Sequence, residues 1–339
     1  MSVQRPLVQA VLGNPVDRVP MWMMRQAGRY LPEYRELRKG KTFQESVHDV
    51  DTAAEITLQP IRRFGFDGAV VFLDIMTPLE AMDVEVTFAP GPTLTPRSLR
   101  EIADLPSFES ERLSFVGDII ASVRRQAPEQ CAVIGFSGAP LTLLAYLTEG
   151  GGSPNFFSLR SQLLADRGLA RDALHRVADA MNAYLALQVA AGADVVQLFD
   201  TWAGLLAKDE LIDLAYPAAA RTLAGIDVPR IYFAPNTVHG YESVASIVDA
   251  DAYGLDWRLP VIEAWDRIGA RAVQGNLDPA VLLTDESTIR RRCEQILDGV
   301  DGRPGYVFNL GHGIDRHSPV ANVEAMVDAV RSHRSGGLA

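Results

Sequence analysis

The chain has 339 residues, of which 47% are hydrophobic and 22% are charged. This composition is typical of a soluble globular protein, and the length suits either two average domains or one large α/β domain. The formal net charge of -11 argues against nucleic acid as the main partner, because phosphate binding requires a basic surface.

Cysteine content and hydropathy indicate the compartment. Cys131 and Cys293 are far apart in sequence, so we expect no disulfide framework and a reducing cytosol. The N-terminal MSVQRPLVQAVLGNP has no apolar run followed by a small-residue cleavage site, and no later stretch approaches the roughly 18 apolar residues of a membrane span. We therefore expect a cytoplasmic protein without a membrane partner.

Eight short apolar runs predict eight β-strands, each followed by a segment with helical spacing. Their cores are nearly continuous rather than alternating, which is typical of strands buried on both faces of a parallel sheet. The runs are VPMWMMR (19–25), GAVVFLD (68–74), CAVIGFSG (131–138), ADVVQLFDT (193–201), PRIYFAP (229–235), AYGLDW (252–257), RAVQGNLD (271–278) and YVFNLGHG (306–313).

The segments between these runs predict helices. ALHRVADAMNAYLALQVAAG repeats apolar residues at helical spacing before Gly192, and VANVEAMVDAVRSH does the same near the C-terminus. FGFDGAVVFLD resembles AAGADVVQLFD, which suits a repeated βα element. The sequence thus predicts an α/β protein with a single (β/α)8 TIM barrel over residues 1–339. An open doubly wound sheet is the alternative, but no Gly-rich nucleotide fingerprint follows the first strand.

In a barrel the active-site cleft lies at the C-terminal ends of the strands. Polar groups that end apolar strands are costly if unpaired, so they either satisfy one another or wait for a ligand. The candidates at these positions are Arg25, Arg29, Asp74, Ser137, Tyr146, Asp200, Thr201, Asn236, Asp256, Asn276, Asp278 and His312.

The stretch MWMMRQAGRYLPEYRELR concentrates arginines near the start of an acidic chain. Gln26-Ala27-Gly28 predicts a turn that brings backbone N–H groups close to an anion. Arginine suits carboxylate or phosphate, so Arg25 and Arg29 are interpreted as binding residues and Arg35 and Arg38 as surface residues.

The other candidates each have a structural alternative. Asp74 is either a ligand-binding carboxylate or a helix cap. Tyr146 by itself suits a helix core, and Thr201 suits a helix cap. His312 lies between two glycines that give it access, which favours function.

Metal and covalent chemistry find little support in the sequence. There is no His-x-x-Glu-His, no Cys-x-x-Cys and no His-x-Cys arrangement for a zinc site. GFSGA lacks the second glycine of a serine nucleophile elbow, because position 139 is alanine.

Seven motifs together resemble the uroporphyrinogen decarboxylase family. They are MRQAGRYLPEYR, FLDIMTPLEAM, SGAPLTLLAYLTEGG, VQLFDTWAG, YGLDW, QGNLDP and FNLGHGI. The resemblance implies a cytosolic homodimeric (β/α)8 barrel that removes CO2 from the four acetates of uroporphyrinogen without a metal or organic cofactor. It implies catalytic roles for Asp74, Arg25 and His312 and substrate binding by Arg25, Gln26, Ala27, Arg29, Asp74, Tyr146, Thr201 and His312, with Phe136 and Phe199 lining the cleft.

Two alternatives remain at this point. A corrinoid-linked methyltransferase of similar barrel shape would normally activate a thiol with zinc, and the sequence lacks the ligands for it. A non-catalytic tetrapyrrole-binding protein would keep the cleft without the reaction. The proton donor also stays open between Arg25 and His312, since arginine is a poor acid at its ordinary pKa.

Overall fold

The computed structural model describes residues 5–88 and 91–333. In this part of the chain the main sheet has seven strands, each running parallel to the next. A separate antiparallel hairpin pairs β2 with β3. The strands are β1 (Gly68–Val70), β2 (Thr87–Phe88), β3 (Pro92–Thr93), β4 (Ala132–Gly138), β5 (Val195–Phe199), β6 (Arg230–Phe233), β7 (Ala252–Gly254), β8 (Ala272–Leu277) and β9 (Tyr306–Leu310).

Helices connect the strands and cover the sheet, as parallel strands require. The α-helices are α1 (Pro6–Val11), α2 (Pro32–Leu37), α3 (Phe43–His48), α4 (Val50–Phe64), α5 (Leu99–Ala103), α6 (Ser114–Gln126), α7 (Pro140–Glu149), α8 (Phe157–Ala165), α9 (Arg167–Ala190), α10 (Lys208–Glu210), α11 (Tyr216–Leu223), α12 (Tyr241–Ile247), α13 (Val261–Ile268), α14 (Glu286–Val300) and α15 (Val320–Ser332). Short 3₁₀ turns span Thr77–Met82, Ser110–Leu113, Ala203–Leu205, Val238–Gly240 and Pro279–Leu283, and a π turn spans Leu211–Ala215.

The strand interiors are buried, as their unbroken apolar runs predict. Every residue of β4, β5, β8 and β9 is buried. The α/β class and the parallel sheet are therefore confirmed. The predicted helix that stops at Gly192 and the one near the C-terminus are also confirmed, as parts of α9 and α15.

One predicted strand was wrong. Residues 19–25 make a single parallel bridge, between Met21 and Phe308 of β9. The Met21 carbonyl also accepts a hydrogen bond from the Asp67 N–H, just before β1. The segment thus contacts both edges of the seven-stranded sheet, but it is not an eighth strand.

Side chains account for this difference. The Met21 N–H donates to the Asp67 carboxylate at 2.9 Å, and the Met24 N–H donates to the Asn309 side-chain oxygen at 3.0 Å. These donors are therefore unavailable to a strand ladder. Arg25 then adopts a left-handed φ of 63°, which ends any extended conformation.

The structure also gives the state of the two cysteines and the apolar length of the helices. Cys131 and Cys293 are buried free thiols. Among the described residues, no helix combines the length and apolar character needed to span a membrane.

Candidate active site

Several of the polar groups at the strand ends are satisfied within the protein. Asp200 accepts hydrogen bonds from Thr142 and Tyr232, and burial raises its pKa to about 6. Asn276 donates to two backbone carbonyls after β7. Asp278 caps the turn that follows it. These groups, together with buried Ser137, which donates to the neighbouring carbonyl, are structural.

The groups matched to the family motifs behave differently. Within residues 5–88 and 91–333, the side chains of Arg25, Arg29, Thr201 and His312 make no hydrogen bond. Arg25 and Arg29 are exposed, whereas Thr201 and His312 are half-buried. The cap alternative for Thr201 does not hold, because the turn beginning at Ala203 has no side-chain cap. These side chains are free to meet a ligand.

The RQAGR segment folds as a turn that is held by hydrogen bonds of the buried Gln26 side chain. The buried Gln26 side chain accepts from the Met23 N–H at 3.1 Å and donates to the Gly68 carbonyl at 2.9 Å. In the described part of the chain, the N–H groups of Ala27 and Gly28 have no partner. Gln26 therefore fixes a turn that leaves two backbone donors free, as an anion site requires.

Arg35 supports the same turn, although the sequence indicated only a surface role. Its guanidinium donates to the Arg29 carbonyl at 2.8 Å and to the Tyr30 carbonyl at 3.2 Å. Arg38 is half-buried and stacks on the rings of Tyr34 and Phe43. Neither belongs with the unpaired arginines of the cleft.

The NLGHG loop after β9 packs against this turn. The Ile314 N–H donates to the Met24 carbonyl at 3.1 Å. A Cβ atom on Gly313 would lie 2.8 Å from Nε of Arg25, so the Arg25 side chain crosses directly over this glycine. The two ends of the chain thereby bring Arg25 beside His312.

Asp74 follows β1 in a tight turn. Its Oδ1 accepts from the Met76 N–H at 2.8 Å, and its own N–H donates to the Thr77 hydroxyl at 3.3 Å. Burial raises the pKa of this carboxyl, while the Met76 N–H and the Arg25 charge lower it. Asp74 does not occupy the cap position of the following 3₁₀ turn, which belongs to Met76.

The positive charge of Arg25 lies close enough to three other candidate residues to affect their pKa values. This charge acts on the pKa values of Asp74, Tyr146 and His312. Burial is the largest cause that lowers the His312 pKa, to about 4, and the charges of Arg25 and Arg258 lower it further, with Asp256 opposing. His312 is consequently neutral at pH 7. Four chain segments distant in sequence thus approach one another at the candidate cleft.

Comparisons with known proteins agree with this geometry. The family model for uroporphyrinogen decarboxylase (URO-D) matches residues 3–333. A uroporphyrinogen decarboxylase from Geobacter sp. (strain M21) is 39% identical over 95% of this chain and 97% of its own length. Another from Alkalilimnicola ehrlichii is 41% identical over 96% of this chain and 92% of its own.

The chain belongs to the uroporphyrinogen decarboxylase family. A solved methyltransferase from Methanosarcina mazei shares the fold, with a TM-score of 0.80, 21% identity and coverage of 96% of this chain and 97% of that one. At this identity the likeness concerns the fold alone.

In this family member, a row of aromatic rings runs from the end of β4 to the NLGHG loop. Phe136 contacts Phe199 with ring centroids 5.6 Å apart, Phe199 contacts Phe233 at 6.1 Å, and Phe233 contacts His312 at 6.4 Å. The sequence predicted the first two as residues that line the cleft, and this stays a prediction; it did not name Phe233, the buried ring between them and His312. Its position at the end of β6 was the available signal.

Tyr146 lies in a second aromatic group. It is half-buried on α7, and its ring is 6.2 Å from those of both Phe156 and Trp202. Burial raises the Tyr146 pKa, and the Trp202 indole opposes this. Trp202 was missed although it directly follows Thr201.

Arg258 is a further residue that the sequence analysis missed. It directly follows the quoted YGLDW motif, and its charge reaches His312. Across 5–88 and 91–333, no three His, Cys, Asp or Glu side chains gather in a metal-binding arrangement.

Proposed function

We propose that this chain removes CO2 from all four acetate side chains of uroporphyrinogen III and yields coproporphyrinogen III in haem biosynthesis. The observation that carries the proposal is the cleft shared by Arg25, Asp74, Tyr146 and His312. It combines unpaired cationic groups with one desolvated carboxylate, which suits a polycarboxylate that becomes cationic during reaction. The family assignment supports the same activity.

Losing CO2 from an acetate on a pyrrole leaves an electron pair that needs an acceptor. Protonation of the α ring carbon next to the one that bears the acetate makes the pyrrole iminium-like, so the pair enters the ring as CO2 departs and an exocyclic methylene forms. A second proton adds to this methylene to complete the methyl group, and the first proton leaves the α carbon to restore the aromatic ring. The protein must therefore supply protons and stabilise a cation.

Asp74 is proposed as the cation stabiliser. As a carboxylate it would accept hydrogen bonds from the pyrrole N–H groups and offset the positive charge that develops on the ring. The Met76 N–H and the Arg25 charge favour this ionised form. Burial strengthens the interaction, because charges attract more strongly away from water.

Binding of the substrate is assigned to the groups around Asp74. Arg25 and Arg29 would hold carboxylates, assisted by the free N–H of Ala27, with Gln26 fixing the turn. Further contacts are proposed for the hydroxyls of Tyr146 and Thr201 and for the rings of Phe136 and Phe199.

The proton donor is proposed to be Arg25 acting through water or His312 acting once substrate is bound. His312 is neutral at pH 7 because burial and two arginine charges lower its pKa to about 4. It becomes a useful acid only when bound carboxylates offset those charges.

The remaining features of the proposal concern the whole chain. Residues 1–339 are proposed to form a single barrel domain that acts as a cytoplasmic homodimer and uses no metal or organic cofactor. The family match over residues 3–333 supports one continuous unit.

Anaerobic incubation of the purified protein with uroporphyrinogen tests the activity. We expect stepwise appearance of species with seven, six, five and four carboxyl groups and release of four CO2 per tetrapyrrole. Absence of CO2 release would contradict the proposal. Metal analysis of the same preparation would reveal the zinc that a corrinoid-linked methyltransferase normally uses.

A further inference from the structure

Arg258 is held in place by a buried carboxylate. Its Nη1 donates to Oδ2 of Asp256 at 2.6 Å, and its backbone N–H donates to Oδ1 at 2.9 Å. The Asp256 side chain is only 1% exposed, whereas that of Arg258 is 42% exposed. Asp256 also accepts from the Asn236 N–H at 2.6 Å. The carboxylate is therefore fixed from two strand-end loops, and it anchors one edge of the guanidinium.

A second contact fixes the plane of this guanidinium. Its carbon lies 4.7 Å from the centroid of the Trp257 ring. Trp257 in turn packs on the NLGHG loop, since a Cβ atom on Gly311 would lie 2.8 Å from its backbone nitrogen and 3.0 Å from its ring. Arg258 thus follows β7 at the side of the cleft that His312 occupies.

The contacts of Arg258 leave most of its donors free. Within the described residues, one of its guanidinium nitrogens bonds to a protein group, and Nε and Nη2 have no partner. A guanidinium carries five N–H donors in a planar fork that fits a carboxylate. The stacking and the ion pair hold this fork in advance of binding, which reduces the entropy lost when a ligand binds.

We propose that Arg258, positioned by Asp256, binds a side-chain carboxylate of the tetrapyrrole on the His312 side of the cleft. This inference rests on the proposed function, because it assigns another anchor for the same substrate. Arg25 and Arg29 bind from the N-terminal turn, and Arg258 supplies a third cation from the loop after β7. Anchors on two separate loops define the orientation of a large ring better than two adjacent anchors on one turn.

The chain offers a matched control for this arginine. Arg303 also stacks on a tryptophan, 4.0 Å from the Trp265 centroid, and also pairs with an aspartate, Asp266 at 2.7 Å. Both members of that pair are exposed, at 40% and 60%. R303Q therefore removes the same kinds of contact outside the proposed cleft.

The test is steady-state decarboxylation of uroporphyrinogen by the wild type, R258Q and R303Q. For R258Q we expect the KM to rise by about tenfold or more, as for loss of a charge-assisted hydrogen bond, with kcat within about threefold of the wild type. R258K should show a smaller rise, because it keeps the charge but loses the fork. R303Q should match the wild type.

R258Q leaves the buried Asp256 carboxylate without its cation, which is destabilising. The double variant D256N/R258Q removes both charges, and we expect it to show the same rise in KM. An unchanged KM in a folded variant, or an equal change in R303Q, would overturn the inference. Failure of the wild type itself to release CO2 would instead overturn the proposed function, so the two outcomes are distinguishable.

Discussion

At the residue scale, the polar groups at the strand ends divide by whether they have a protein partner. Asp200 and Asn276 are satisfied by buried hydrogen bonds, whereas Arg25 and His312 are held next to each other without one. The paired groups stabilise the loops, whereas the unpaired groups keep hydrogen-bonding capacity that a ligand can use.

Asp74→Asn tests the proposed cation stabiliser. The amide keeps the size of the side chain and loses its charge, so we expect kcat to fall by about 10²–10³-fold, the usual effect of removing a group that stabilises charge in the transition state. CO2 release under anaerobic conditions gives the measurement.

Asp278→Asn is the control for that variant. Asp278 also follows a strand, β8, but its carboxylate caps the turn that begins at Pro279. Its replacement should leave kcat near that of the wild type. Near-normal CO2 release by a folded D74N protein would rule out the role assigned to Asp74.

His312 also makes stability depend on pH. Its pKa in the folded protein is about 4, below the ordinary value of about 6.5 that it regains on unfolding. Between these values the unfolded chain binds more protons, so the free energy of unfolding falls as the pH drops from about 6.5 to about 4.

H312Q removes this contribution. Between pH 7 and pH 4.5 the wild type should lose about 2 kcal/mol more than H312Q, measured by urea unfolding at both pH values. Parallel losses in the two proteins would show that His312 titrates normally in the fold.

At the element scale, aspartates just before three strands tie each strand to its neighbour. Asp67, Asp194 and Asp251 each accept a hydrogen bond from a backbone N–H of the neighbouring segment in the sheet. The donors are Met21, Val133 and Arg230, respectively. Each also pairs with at least one arginine. The likeness of FGFDGAVVFLD to AAGADVVQLFD therefore has a structural basis, at the end of the sheet opposite the cleft.

Asp194→Ala tests this stabilising role. The change leaves Arg5 and Arg124 without their shared carboxylate and the Val133 N–H without its acceptor. We expect a loss of about 3 kcal/mol in the free energy of unfolding, measured by chemical denaturation, with kcat unchanged at a temperature where the variant is folded.

The matched surface pair is Asp179 with Arg221. Here the aspartate side chain is 57% exposed and the arginine 46%, so D179A should cost less than about 1 kcal/mol. Equal losses in the two variants would show that burial does not decide the strength of these pairs.

At the scale of the whole molecule, the net charge of -11 contrasts with the cations proposed to bind a polycarboxylate. Net charge governs solubility and long-range repulsion, whereas affinity depends on the potential within a cleft. We expect Arg25, Arg29 and Arg258 to give the proposed cleft a local positive field that the average charge conceals.

The proposed homodimer is tested by sedimentation equilibrium. We expect a mass of twice the 37.0 kDa chain at the concentrations used for activity. A mass of a single chain in an active preparation would show that the monomer suffices.

The sequence predicted most of the sheet because a parallel strand that is buried on both faces needs a continuous run of apolar residues, which is visible in the local sequence. It failed at residues 19–25, where the pattern is equally apolar. There the Asp67 and Asn309 side chains, 46 and 285 residues from their donors, take the N–H groups of Met21 and Met24. Competition from such distant acceptors leaves no trace in local periodicity.

The sequence by itself determined the α/β class, the family and the residues matched to its motifs, since these depend on residue type and order. Only the tertiary structure decided which polar groups are already paired, that His312 is neutral, and that Arg258 lies on its side of the cleft. The physical reason is that hydrogen bonding, desolvation and charge act through space, between loops that the chain itself separates by up to hundreds of residues.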